Sequence, residues 1–152
     1  MATLTTGDKA PGFIAKDQNG KEVSLADFKG KTTILYFYPK DDTPGCTAEA
    51  CDFRDNYQSL LSKGYEVIGV STDDEKSHKK FETKYTLPFT LIADESKEIN
   101  EAYGVWAEKN NYGKKYMGTV RTTFIINGDG IISHIINKVD TKNASQQVLD
   151  LI

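Results

Sequence analysis

The strongest constraint in this sequence is a segment that reads strand, stop, helix, strand. Lys31 to Tyr38 (KTTILYFY) is β-branched and aromatic, nearly continuous, and halted by Pro39. A run of that kind belongs to a buried central strand. Thr43-Pro44 then opens a helix, with Thr suited to the N-cap and Pro to the first helical position, where its missing N–H is not needed. Ala50, Phe53, Tyr57, Leu60 and Leu61 keep the three-to-four-residue period of one buried stripe. Gly64 suits the stop after about Ser62. Tyr65 to Ser71 (YEVIGVS) reads as a second buried strand. A βαβ crossover of this spacing predicts that the two strands run parallel.

The flanking sequence extends that unit. Phe13–Lys16 and Lys21–Leu25 flank Asn19-Gly20, a hairpin signal because both turn residues tolerate positive φ. Asp73 or Asp74 caps a charged helix reaching about Lys84, and Leu87–Ile92 is a short extended piece. Ser96 can cap a short helix ending at Gly104. Trp106–Gly113 (WAEKNNYG) reads as a loop in which Trp106 packs down. Arg121–Ile126 and Ile131–Ile136 flank Asn127-Gly128-Asp129-Gly130, a second hairpin. A last helix runs from about Ala144 to the chain end. Neither a repeat nor a linker interrupts residues 1–152, which are read as a single α/β domain. The expected architecture is a central mixed β-sheet flanked by helices on both faces, with an N-terminal β-hairpin. A thioredoxin-like arrangement is the leading candidate.

Composition narrows the function classes. The 152 residues carry 19 basic and 22 acidic side chains, a net charge of −3, without the basic surplus of a general nucleic-acid binder. The longest apolar run, Ile34 to Tyr38, is far short of the roughly 20 residues of a membrane span. The start, Met1 to Gly7, has neither the basic nor the apolar region of a secretory leader. The expectation is a cytoplasmic protein that engages neither nucleic acid nor membrane.

Cys46 and Cys51 are the only cysteines. Two nearby cysteines in a reducing compartment mean catalysis or redox sensing, metal binding, or plain burial. Cys46 falls in the first turn of the helix opened by Thr43, where unpaired N–H groups and the helix dipole favour an anion. Such surroundings lower a thiol's pKa, and the thiolate is the nucleophile; a thiol of pKa about 8.5 is roughly 3% ionised at neutral pH, one of about 6 roughly 90%. Gly45 permits close approach, Pro39 and Pro44 stiffen the loop, and the position lies at the carboxyl end of a central strand, where open α/β sheets bind ligands. The plainer reading makes Cys46 a small buried apolar residue. Asp41 and Asp42 oppose an anion unless they point away or a cation such as Arg121 offsets them.

Cys51 stands five positions on, which is not a C-x-x-C spacing. Helix geometry puts such Cα atoms about 8.6 Å apart, beyond the roughly 7 Å a disulfide tolerates. Bonding therefore requires local unwinding, and would make the helix a redox-driven order–disorder switch; the plainer reading gives Cys51 no role. His78 and His134 lack zinc-site spacing. His78, in a Lys/Glu run, reads as solvated on the charged Asp73–Lys84 helix face, and His134 as a sheet-face residue.

Tyr36-Phe37-Tyr38-Pro39-Lys40-Asp41-Asp42-Thr43-Pro44-Gly45-Cys46-Thr47, followed by Glu49-Ala50-Cys51-Asp52-Phe53-Arg54-Asp55, closely resembles the peroxiredoxin family, in its bacterioferritin comigratory protein or Q-type branch. Gly69-Val70-Ser71, Leu87-Pro88-Phe89, Tyr103-Gly104-Val105-Trp106 and Arg121-Thr122-Thr123-Phe124 extend the match over nearly the whole chain. The resemblance implies a thioredoxin-like fold and an antioxidant thiol peroxidase acting on hydrogen peroxide and organic hydroperoxides. It implies that Cys46 is the peroxidatic cysteine and Cys51 the resolving one, joined in an intramolecular disulfide reduced by thioredoxin or a similar dithiol. Thr43 and Arg121 match the residues that position the peroxide and stabilise the thiolate, Pro39 the shielding proline, and Glu49 a branch residue that holds the arginine. No metal, haem or flavin is implied, and a monomer is expected, with a dimer left open. A thioredoxin-like redox sensor switched by the same disulfide is the alternative. Gly12 and Asn143 depart from the family pattern, away from the active-site motif.

Overall fold

The computed structural model describes residues 4–152, so the reading of Met1 to Thr3 lies outside the described residues. Strands β1 (Ile14–Asp17) and β2 (Glu22–Ser24) form the expected N-terminal hairpin, and Gly20 takes φ +74° at its turn. A 3₁₀ turn, Leu25–Phe28, leads to β3 (Thr32–Phe37). Helix α1 (Pro44–Ser62), β4 (Tyr65–Ser71), α2 (Glu75–Tyr85) and β5 (Thr90–Ala93) follow. Then come α3 (Glu98–Ala102), β6 (Trp106–Asn111), β7 (Lys114–Thr119), β8 (Thr122–Ile126), β9 (Ile132–Ile136) and α4 (Ala144–Leu149).

Seven strands make one mixed sheet in the order β2-β1-β5-β4-β3-β8-β9. β3 and β4 are parallel, as the crossover predicts, with Tyr36 opposite Gly69; β8 runs antiparallel to β3 on its other side. Both faces of β3 are covered, which explains its unalternating sequence. Ile34, Tyr36 and Tyr38 pack with Ala50, Phe53 and Leu60 of α1, Phe81 of α2 and Val148 of α4. Leu35 and Phe37 pack on the opposite face with Ile99, Tyr103 and Phe124. Gly69 is dictated by this packing: a Cβ there would lie 2.9 Å from the Tyr36 ring.

Several local expectations need correction. Trp106–Gly113 is not a loop: β6 and β7 form a separate two-stranded hairpin, turned at Tyr112-Gly113, both with positive φ. Its strands are lysine-rich and largely exposed, so they lack the apolar alternation that marks a half-buried strand. Helix α3 begins after Lys97, not Ser96, and its first amides are held by Asp94, whose carboxylate accepts from Ile99 and Asn100 N–H groups. Among the described residues no helix is long and apolar enough to cross a membrane.

Candidate active site

Cys46 lies in the first turn of α1, just beyond the carboxyl end of β3, and is 1% exposed. Thr43 is the N-cap residue, with extended backbone (φ −100°, ψ 157°), and Pro44 follows it. Its hydroxyl, however, does not cap the helix as expected: it donates to the Lys40 carbonyl at 2.9 Å. Among the described residues no side chain therefore caps the first turn, which keeps its dipole end open beside the sulfur.

Arg121 arrives from the strand next to β3. It immediately precedes β8, whose Thr122 pairs with Phe37 at the end of β3, so strand register delivers the guanidinium to the start of α1. Its Nη2 donates to Cys46 Sγ at 3.1 Å and its Nη1 to Glu49 Oε1 at 2.7 Å. Glu49 stands one turn along α1 from Cys46, on the same face, and is fully buried. Burial pushes its carboxyl up to about 7, against the opposing charge and hydrogen bond of Arg121. For Arg121, burial pulls downward, but Glu49 and Cys46 hold it above its ordinary value. Gly45 leaves room for this arginine: a Cβ would meet Nη2 at 3.3 Å. Lys109, half-buried on β6, completes the electrostatic surroundings; burial and Arg121 lower it while Cys46 raises it.

The structure thus brings Cys46, Arg121 and Glu49 into contact. Pro39 lies half-buried at the mouth of the same loop. Cys51 is half-buried on the following turn of α1, and both cysteines are free thiols in an unbroken helix. Asp41 and Asp42 point away from the sulfur. Asp42 accepts from Lys84 Nζ and the Tyr85 hydroxyl, each at 2.7 Å, which holds its carboxyl below the usual range.

Asp41 is buried against His78, and this corrects the reading of that histidine as solvated. His78 is fully buried under α2. Its Nε2 lies 2.8 Å from the Ile92 carbonyl and its Nδ1 2.7 Å from Asp41 Oδ2. A carbonyl only accepts, so Nε2 carries a proton, and a second proton lies between Nδ1 and the carboxylate. Tyr38 and Ser77 hydroxyls also donate to Asp41, and its own N–H donates to Asp73. The missed signal was spacing: His78 precedes the buried Phe81 by three residues, placing both on the inner stripe of α2. Asp41, Asp73 and His78 bring possible ligand atoms within 4.8 Å of one another, yet these atoms are engaged in the hydrogen bonds just described.

Together, an open helix start, a buried sulfur and a shared guanidinium suit nucleophilic attack by a thiolate on a small electrophile that releases negative charge. Comparison with known proteins agrees. The model of the AhpC/TSA family matches residues 6–135. The chain is 51% identical over 137 residues to a putative peroxiredoxin bcp of Coxiella burnetii, covering 90% of this chain and 91% of that one. It is 45% identical to the peroxiredoxin Bcp of Bacillus subtilis, over 99% of this chain and 96% of the relative. A cysteine-to-serine mutant of PrxQ from Xylella fastidiosa superposes with a TM-score of 0.92 at 28% identity, covering 99% and 96% of the two chains. A mutant of Xanthomonas campestris peroxiredoxin Q gives 0.86 at 34% identity, covering 91% and 88%.

Proposed function

The chain belongs to the AhpC/TSA family, among its peroxiredoxins of the Bcp or Q type, and from that premise we propose how its thiol peroxidase chemistry is divided among its own residues. Cys46 is the peroxidatic nucleophile. Its thiolate attacks one peroxide oxygen in line with the O–O bond; an S–O bond forms, the O–O bond breaks, and the leaving oxygen takes the electron pair and a proton. The observation that carries this reading is the Arg121 hydrogen bond to Sγ at 3.1 Å. That guanidinium favours the ionised sulfur before attack and is in place to stabilise charge on the leaving oxygen during it. Thr43 and the uncapped amides of the first turn line the position where the peroxide enters, and Pro39 shields it. Glu49 holds Arg121 in the geometry that both tasks require.

The product is a sulfenic acid on Cys46, which condenses with Cys51 to a disulfide and releases water. Both residues belong to α1, and an intact helix keeps their Cα atoms about 8.6 Å apart, so the first turns of α1 unwind before the bond closes. An external dithiol, thioredoxin in our reading, then reduces the disulfide. A Xanthomonas campestris bacterioferritin comigratory protein at 33% identity has been described through its alkyl peroxide reduction, which supports organic hydroperoxides alongside hydrogen peroxide as substrates here.

A coupled assay of peroxide loss with thioredoxin and its reductase tests the assignment. Cys46→Ser should abolish consumption, and retained activity would remove Cys46 from the role. Cys51→Ser should complete one turnover and then stall. One equivalent of peroxide should lower the mass of the reduced chain by two hydrogens without changing its oligomeric mass.

A further inference from the structure

The peroxidatic site has more acids than its cation can neutralise. Arg121 is the one cation in hydrogen-bond contact with Cys46 among the described residues, and it divides itself between two acids, Cys46 Sγ and Glu49 Oε1. If both were ionised, a net negative charge would sit where Cys46 is 1% and Glu49 0% exposed. Two acids crowded onto one cation in a dry site do not both ionise; the pair retains a proton between them.

The geometry indicates which acid keeps it. Arg121 Nη1 donates to Oε1 of Glu49; the second oxygen, Oε2, is fully buried and has no hydrogen-bond partner among the described residues. A bare carboxylate oxygen in such surroundings is far costlier than a neutral acid. The Tyr36 hydroxyl is likewise buried and without a partner among the described residues. Burial, then the charges of Glu49 and Cys46, oppose its ionisation, so it stays neutral and leaves the charge balance to the two acids and Arg121. Asp52, further along α1, pushes in the same direction on Glu49, and burial outweighs Arg121 in raising the carboxyl to about 7. Lys109 faces Arg121 and Cys46 from β6.

We propose that Glu49 is the proton-holding residue of this site, so that the reduced protein rests as Cys46 thiolate, Arg121 guanidinium and a neutral Glu49 carboxylic acid. The inference rests on the reading of Cys46 as the peroxidatic nucleophile and deepens it. The step balances. Sulfur gives an electron pair to one peroxide oxygen and becomes the sulfenic acid; the other oxygen leaves with the O–O electrons and needs a proton. Glu49 gives up one proton as the leaving oxygen gains one, and the product leaves as water or an alcohol. The anion thereby moves from sulfur to carboxylate, and Arg121 faces one negative charge before and after. Glu49 acts through Arg121, as a positioning and proton-holding residue, without touching the peroxide.

The test is an infrared difference spectrum of the whole protein, reduced minus peroxide-treated, in a Cys51→Ser background that stops at the sulfenic acid. The reduced form should show the carbonyl stretch of a neutral carboxylic acid, shifted in deuterium oxide and lost on oxidation; its absence from the reduced form overturns the proposal. Proton uptake is measured in parallel with an indicator dye at about pH 6, where a carboxyl of about 7 is mostly protonated. The Cys51→Ser protein should take up no proton from solvent per peroxide consumed, whereas Glu49→Gln in the same background, lacking the store, should take up one. Equal uptake in both overturns the proposal. Should Glu49→Gln fail to fold, the difference spectrum of the protein with Glu49 intact still decides. Failure of the underlying reading looks different: Cys46→Ser would then keep consuming peroxide, whatever the carboxyl band does.

Discussion

Replacing His78 with Leu probes a buried ion pair that ties the loop before α1, through Asp41, to α2. The imidazole is 0% exposed and makes two hydrogen bonds, to Asp41 at 2.7 Å and to the Ile92 carbonyl at 2.8 Å. Leu fills much of the volume but donates nothing, so Asp41 remains buried with only Tyr38, Ser77 and no cation. Removing one partner of a buried pair costs about 3–5 kcal/mol, and an orphaned buried carbonyl about 1–3. These overlap, so about 4 kcal/mol is expected. With an urea m-value of roughly 2 kcal/mol/M, the midpoint falls by about 2 M. The effect depends on pH. Burial pulls His78 down, but the Asp41 hydrogen bond and charge, the Ile92 carbonyl and Asp73 together raise it above its ordinary value. A raised histidine stabilises the fold fully below its unfolded pKa of about 6.5 and progressively less as pH climbs through the higher folded value. The gap between the two proteins should therefore be widest near pH 6 and narrow in alkaline solution. Urea titrations at about pH 6 and about pH 9 measure it. A loss under about 1 kcal/mol, or an equal loss at both pH values, refutes the charged pair.

Two further substitutions separate chemistry from stability. Gly45→Ala puts a Cβ 3.3 Å from Arg121 Nη2, and the few tenths of an ångström the arginine must yield should lower kcat/KM by roughly tenfold; thermal stability should hold or rise, since Ala suits a helix better than Gly by up to about 1 kcal/mol. Unchanged peroxide kinetics would show that the arginine's placement is not critical. Phe53→Ala empties a fully buried site packed on the Tyr36 ring, centroids 4.9 Å apart, and should cost about 3–5 kcal/mol in denaturant unfolding; a cost below about 1 kcal/mol would mean that α1 is not anchored there.

Sequence reasoning reached what local physics decides. β3, α1 and β4 were legible because a doubly covered strand, a Thr-Pro helix start and a stripe of apolar residues each leave a mark within a few positions. The sulfur's place at the helix start followed from the same few residues. The β6–β7 hairpin escaped because its apolar residues do not alternate: Trp106-Ala107 and Tyr116-Met117 stand as adjacent pairs among lysines, asparagines and a glutamate, on strands closed by a Tyr-Gly turn. Lys97 displaced Ser96 as the start of α3 because Asp94, several residues back, supplies acceptors to the first amides.

The remainder was decided only by tertiary structure. Arg121 is 75 positions from Cys46, and only the antiparallel register of β8 on β3 sets it against the sulfur. Asp41 and His78 are 37 positions apart, and a histidine among lysines reads as solvated until α2 packs its inner stripe onto the sheet. The Thr43 hydroxyl, given a capping role by its position, turns instead to the Lys40 carbonyl. A chain's short-range pattern states which groups are available and which elements carry them. Charge pairing in a dry interior depends on distances of about 3 Å between groups far apart in the chain, and those distances exist only once the sheet has closed its register.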